Sequence, residues 1–225
     1  MQVRPLTSTV GDVKLHGVIN ASHDSLANFS IALTVEDTLA RAKELLQQGC
    51  VGIDLGAAGS TQFADRVSTD EEWDRLEGKV EALSALGIEL SIDTWNPEIM
   101  ERALDAGANF MNASDGLQNP EMIDLAADRT VPVVLPFLNG NDPKSLEFVA
   151  GDPLETILPW FETTLVNLER SGINKEQLIL DPGTGFGPAD WAWEERFKFQ
   201  EQIYRNLERL RVFGLPIYIA LPWKM

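Results

Sequence analysis

Short β-branched and aliphatic runs alternate with longer amphipathic stretches along this chain, and that alternation constrains the fold more than any other feature. The runs fall at 15–20 (LHGVIN), 51–56 (VGIDLG), 89–94 (ELSIDT), 110–114 (FMNAS), 131–137 (VPVVLPF), 177–182 (QLILDP) and 216–221 (PIYIAL). Helical patterns occupy 34–48, 69–85, 97–106, 119–128, 153–171 and 191–212 between them. Strands separated by helices pair in parallel through crossover connections. The first helical stretch, TVEDTLARAKELLQQG, has Thr34 as its cap and carries Val35, Leu39, Ala42 and Leu46 on one face. It stops at Gly49. Seven such runs exceed what most open doubly wound sheets use, so the reading is α/β, a (β/α)8 barrel of TIM type in one domain, residues 1–225.

The count stops one strand short. The chain ends at IALPWKM, directly after the seventh run. The expectation is a C-terminally truncated barrel lacking its last helix and strand, because an open parallel edge is a liability to a soluble protein. The alternative is a partner that supplies the missing wall.

Composition narrows the function. No run reaches the ~18 apolar residues of a membrane span, and MQVRPLTSTVGD has no signal-peptide apolar stretch, which fits a cytoplasmic protein. The single cysteine, Cys50, cannot form an internal disulfide and reads as an inert packing residue. A net charge of −17 spread along the chain argues against nucleic acid as a partner. An anionic substrate would have to be met by a local cation or a divalent metal.

In a barrel, the C-terminal strand tips line the mouth. Here the tips carry Asn20, Asp54 with Gly56, Asp93, Asn112 and Asp181. Carboxylates accept paired hydrogen bonds from a guanidine-like edge, and an amide can both donate and accept, so such a rim suits a flat aminopyrimidinone heterocycle. Each residue also has a local reading. Asp93 could start a turn before the Asn96-Pro97 helix entry, and Asp181 could be a turn residue before Pro-Gly. Asn112 could satisfy backbone at a strand end, and Asp54 could be a buried structural carboxylate. The glycines of GTGFG do not make a dinucleotide fingerprint.

The segments GVINASHDS, VGIDLGAAGST, LSIDTWNPEIMERALDAGANFMNAS and LILDPGTGFG, in this order and spacing, resemble dihydropteroate synthase and the wider pterin-binding family. The resemblance runs from about residue 14 to the end and implies a pterin pocket at the barrel mouth. It implies pterin-binding roles for Asp93, Asn112 and Asp181, with Phe186 and Lys224 at the same ring, and catalytic roles for Asp93, Asp181 and Lys224. It implies that Asn20 meets Mg2+ and the diphosphate, that Asp24 and Ser25 belong to a mobile first loop, and that Ser60 and Thr61 remain from the second-substrate loop. The implied reaction condenses 6-hydroxymethyl-dihydropterin diphosphate with p-aminobenzoate in folate biosynthesis, with diphosphate as leaving group. The electron-rich ring stabilises the developing cation, the carboxylates favour it electrostatically, and magnesium neutralises the diphosphate. No serine, cysteine or histidine nucleophile is needed, and His16 and His23 read as incidental.

The sequence also departs from the family pattern. Gln62 and Phe63 stand where the second loop has Arg-Pro, and His23 and Asn28 replace a proline and an aspartate of the first loop. Ala113 follows Asn112 where the family has aspartate, Pro222-Trp223 replaces a serine-arginine pair, and the Arg-x-His of an eighth strand has no counterpart. The pterin half of the site is intact and the anion-binding half is thinned. Two alternatives therefore stand beside the synthase: a non-catalytic pterin-binding homologue, and a methyltetrahydrofolate-dependent methyltransferase domain.

In the stretch 191–212, Phe199, Ile203, Leu207 and Leu210 form a core stripe, with Trp193, Phe197 and Tyr204 lying off it. Together with Trp160 and Phe161 they suit a homodimer interface, which the resemblance also implies; packing under a loop is the simpler reading.

Overall fold

The computed structural model describes residues 13–23, 28–59, 66–141, 145–188 and 191–221. Among the described residues there are six strands: β1 (His16–Asn20), β2 (Gly52–Gly56), β3 (Glu89–Thr94), β4 (Phe110–Ala113), β5 (Val133–Pro136) and β6 (Leu178–Asp181). They are hydrogen-bonded neighbours in sequence order, β1-β2-β3-β4-β5-β6. The registers of β1 with β2, β2 with β3, and β5 with β6 are all parallel. Seven α-helices among the described residues follow the strands: α1 (Val35–Gln47), α2 (Thr69–Leu76), α3 (Lys79–Ser84), α4 (Pro97–Asp105), α5 (Pro120–Asp128), α6 (Leu154–Arg170) and α7 (Trp193–Arg205).

The chain packs as two compact units, with β1–β3 and β4 as far as Asn112 in the first, and Ala113 onward in the second. In the first unit all five residues of β2 are buried. Ile19, Ile53, Leu55, Leu90, Ile92 and Met111 are fully buried, as expected of strands in the middle of a parallel α/β layer. Helix α1 begins at Thr34, whose hydroxyl oxygen accepts from Asp37 N at 3.0 Å. Its buried side is Thr38, Ala42 and Leu45, with Val35, Leu39 and Leu46 at the margins, a rotation from the stripe read in the sequence. Leu45 takes that place because it lies over Gly17 of β1, where a Cβ would come within 2.7 Å of its Cδ1. In the second unit Phe161, Leu165 and Leu168 of α6 are buried with Val133–Leu135 and Leu180.

Three segments differ from the sequence expectation. The stretch 69–85 is two helices, because Gly78 takes a left-handed φ of +74° between them. The stretch 191–212 is α-helical only to Arg205 and continues as a 3-10 segment, Leu207–Phe213, that ends at Gly214 with φ +69°. The run at 216–221 is a single parallel bridge, Leu180↔Ile217, rather than a strand. Pro216 offers its carbonyl to Leu180 N at 2.9 Å but has no N–H to extend the ladder, and Tyr218 N closes the bridge on Leu180 O at 2.8 Å.

The aromatic residues also divide differently. Phe161 is fully buried and meets Trp160 edge to face, so it belongs to the core rather than to a surface patch. Trp193 and Phe197 are exposed, whereas the Tyr204 hydroxyl turns inward and donates to Ala220 O at 2.9 Å. No helix among the described residues is long and apolar enough to cross a membrane.

Candidate active site

In the first unit, parallel register alone brings three strand ends level: Asn20 pairs with Gly56, and Gly56 with Asp93. The missing side chain at Gly56 leaves a cradle between its neighbours. A Cβ there would lie 3.6 Å from Asn20 Oδ1 and 3.6 Å from Asp93 Cβ. Asn20 is oriented by its own amide, whose Nδ2 donates to the buried Ser30 Oγ at 2.7 Å. That leaves the harder donor atom, Oδ1, on the Gly56 side. The loop bearing Ser30 is tied back to β1 by Ala32 N, which donates to Asn20 O at 2.9 Å.

Asp54 lies two residues before Gly56 and therefore on the same face of β2. It is 6% exposed, and both its carboxylate oxygens accept from Asn112 Nδ2, at 3.2 and 3.4 Å. The structural-carboxylate reading of Asp54 thus acquires a specific content. With Nδ2 turned to Asp54, the Oδ1 end of the Asn112 amide, an acceptor, is not used by this contact.

The second unit carries the remaining described candidates. Asp181 closes β6, is 4% exposed, and accepts from Gly183 N at 2.8 Å in an Asx turn. The turn reading of Asp181 is realised. Gly183 has φ +78°, and a Cβ on it would stand 2.5 Å from Phe137 O. Phe186 is half-buried and lines a shallow cleft with Phe137, Trp191 and Phe199. Helix α7 supports this turn: Gln200 Nε2 donates to Thr184 O at 2.6 Å, and Thr184 Oγ1 donates to Ala220 O at 3.0 Å. Asp115, just past β4, accepts from the backbone N–H groups of Leu117, Gln118 and Asn119. Burial nevertheless pushes its carboxyl up to about 6.

Asp24, Ser25, Ser60, Thr61 and Lys224 lie outside the described residues, as do Gln62, Phe63, Pro222 and Trp223. The sequence reading missed Ser30, Gln200 and Tyr204 as supports, and Glu72, which α2 buries to 2% exposure against Thr94. Nothing in the acidic run TDEE marks one of its carboxylates as inward. Only the period of α2, with Glu72 four residues before Leu76, carries that signal.

A family model described as pterin binding enzyme matches residues 16–222. The chain belongs to the pterin-binding enzyme family. It is similar to the dihydropteroate synthase of Staphylococcus haemolyticus, 32% identical over 208 residues, covering 92% of this chain and 73% of that protein. It is also 33% identical to a probable bifunctional folylpolyglutamate synthase/dihydropteroate synthase of Haloferax volcanii, over 91% of this chain and only 24% of the relative. The chain thus spans about a quarter of that relative's length. Among solved structures, a Yersinia pestis dihydropteroate synthase with a sulfonamide drug superposes with a TM-score of 0.83 at 29% identity, covering 94% of this chain and 75% of that one. An Anaplasma phagocytophilum dihydropteroate synthase with bound 6-hydroxymethylpterin-monophosphate gives 0.73 at 26% identity, over 92% and 78% of the two chains. The α/β fold, a parallel sheet with alternating helices, is that of these TIM-barrel relatives.

Proposed function

We propose that this chain is a transferase domain that condenses 6-hydroxymethyl-dihydropterin diphosphate with p-aminobenzoate and releases diphosphate. The observation that carries the reading is the strand-end set Asn20, Gly56, Asp93 with the Asp54–Asn112 pair, all on one face of the first unit. In this reading Asp93 and Asn112 serve the pterin, and the LDPG motif gives Asp181 a pterin-binding role by the family resemblance. The carboxylates accept from its amino and ring N–H groups, and Asn112 Oδ1 accepts from a ring N–H. Fixed negative charge near the ring favours the cation that develops as the pterin carbon loses diphosphate. Phe186 covers the ring's apolar face, and the family resemblance gives Lys224 a catalytic role at the same ring. Asp24, Ser25, Ser60 and Thr61 serve the aminobenzoate side.

Magnesium fits the residues present. Asn20 Oδ1 is a hard oxygen donor held in place by the Ser30 bond, and this cation binds through few protein ligands when phosphate oxygens supply the rest. No group of three or more His, Cys, Asp or Glu that could cage a metal occurs among the described residues. When bound, magnesium would neutralise the diphosphate. The same proposal takes the chain as one pterin-binding domain, cytoplasmic and homodimeric.

The test is direct. Incubation with the pterin diphosphate, p-aminobenzoate and magnesium should give dihydropteroate and an equal amount of diphosphate, by mass spectrometry and a diphosphate assay. Pterin binding without either product, at saturating substrates, would replace this reading with that of a non-catalytic pterin-binding homologue. The changed residues Gln62 and Ala113 are the features that favour that alternative.

A further inference from the structure

Helix α2 opens with Thr69-Asp70-Glu71-Glu72, which by composition belongs in water. Glu72 is nonetheless only 2% exposed, and its Oε1 accepts from the hydroxyl of Thr94, itself 1% exposed, at 2.6 Å. One helical turn later, Arg75 donates through Nη1 to Ala57 O at 2.9 Å and through Nη2 to Glu71 at 2.7 Å. The helix end is fastened by the buried Lys79, whose Nζ donates to Arg75 O at 2.7 Å. Thr94 directly follows Asp93, and Ala57 directly follows Gly56. The two contacts of α2 therefore fall one residue beyond each member of the Gly56↔Asp93 register pair.

A carboxylate in this position is expensive for the fold. Burial raises the Glu72 pKa against the opposing effects of the Thr94 hydrogen bond and the Arg75 charge. Apolar side chains of similar size at both Glu72 and Thr94 would pack there without that cost. What an apolar residue could not do is fix the Thr94 rotamer and, through it, the direction in which the preceding residue leaves the strand.

We propose that Glu72 and Arg75 are positioning residues that bracket the ends of β2 and β3 and hold Asp93 in the geometry that receives the pterin. The assignment deepens the proposed function and rests on it for the identity of the ligand. It does not make Glu72 a catalytic residue.

The test uses two readouts on the whole chain: calorimetric affinity for 6-hydroxymethylpterin, and the side-chain carboxyl 13C resonance of Asp93 in aspartate-labelled protein without ligand. Thr94→Val and Glu72→Leu should shift the Asp93 resonance and weaken pterin binding about tenfold. Thr94→Ser and Glu72→Gln, which keep a donor or an acceptor, should restore both. Thermal melting separates positioning from stability: Glu72→Leu takes the acceptor from a buried hydroxyl and should melt lower than wild type, whereas Glu72→Leu with Thr94→Val removes both partners and should recover the melting temperature while the Asp93 resonance stays shifted. Unchanged Asp93 resonance in Thr94→Val and Glu72→Leu overturns the assignment, and so does a shift that the conservative variants fail to reverse. If wild type binds no pterin, that result counts against the proposed function alone, and the Asp93 resonance still decides whether the bracket exists.

Discussion

Removing the Asp54 carboxylate should damage pterin binding through Asn112 while leaving the fold in place. The two Asn112 Nδ2 contacts, 3.2 and 3.4 Å, sit at the long end of hydrogen-bond geometry. A charge-assisted bond of this length belongs at the low end of its range, about 1.5 kcal/mol. Asp54→Leu deletes the acceptor and leaves the half-buried amide N–H groups unpaired, which adds about 1 kcal/mol. The sum, about 2 to 3 kcal/mol, is lost from Asn112's fixed orientation, so the amide is free to turn and present N–H where the ring N–H needs an acceptor. Pterin affinity should therefore fall roughly 30- to 140-fold, one decade per 1.4 kcal/mol. Asp54→Asn keeps an acceptor without the charge and should lose less, about 1 kcal/mol or fivefold. Isothermal titration with 6-hydroxymethylpterin measures both, and circular dichroism checks the fold. Equal affinity in wild type and Asp54→Leu, with the fold intact, would refute the claim that Asp54 sets the face Asn112 presents.

Two further outcomes follow from single positions. The Asp115 carboxyl is raised to about 6, so its contribution to stability is fully present below its ordinary value and lost as pH rises through about 6. From about pH 7 to about pH 5 it should add roughly 1.4 kcal/mol to the unfolding free energy, and Asp115→Asn should remove that part of the pH dependence in urea titrations at the two pH values. Gly183→Ala forces a side chain into φ +78° and against Phe137 O at 2.5 Å. It should cost about 2 kcal/mol or more and lower the melting temperature by roughly 4–8 °C.

The strands were legible because each is a short run rich in aliphatic and β-branched residues between helical stretches, and parallel register then levels their C-terminal ends. That is why Asn20, Gly56 and Asp93 could be named together as strand tips from the sequence, while their register pairing comes from the structure. Side-chain direction was less legible. An amide such as Asn112 can both donate and accept, and it is the Asp54 contact that turns its nitrogen one way. Glu72 stayed hidden because an acidic first turn is the usual signature of a solvated helix start. Helix ends failed where glycine chemistry is ambiguous: Gly78 lies in a pattern periodic enough to read through, yet its positive φ breaks the helix. The run at 216–221 has strand composition, but Pro216 withholds the N–H that a ladder needs.

The central claim is that amide and carboxylate groups at the ends of parallel strands read a pterin, and a calorimetric titration of 6-hydroxymethylpterin into wild type and Asp93→Asn measures it most directly. Saturable binding by wild type, weakened about tenfold or more by Asp93→Asn, is the predicted result. Binding of equal strength by both proteins, or none by wild type, would contradict it.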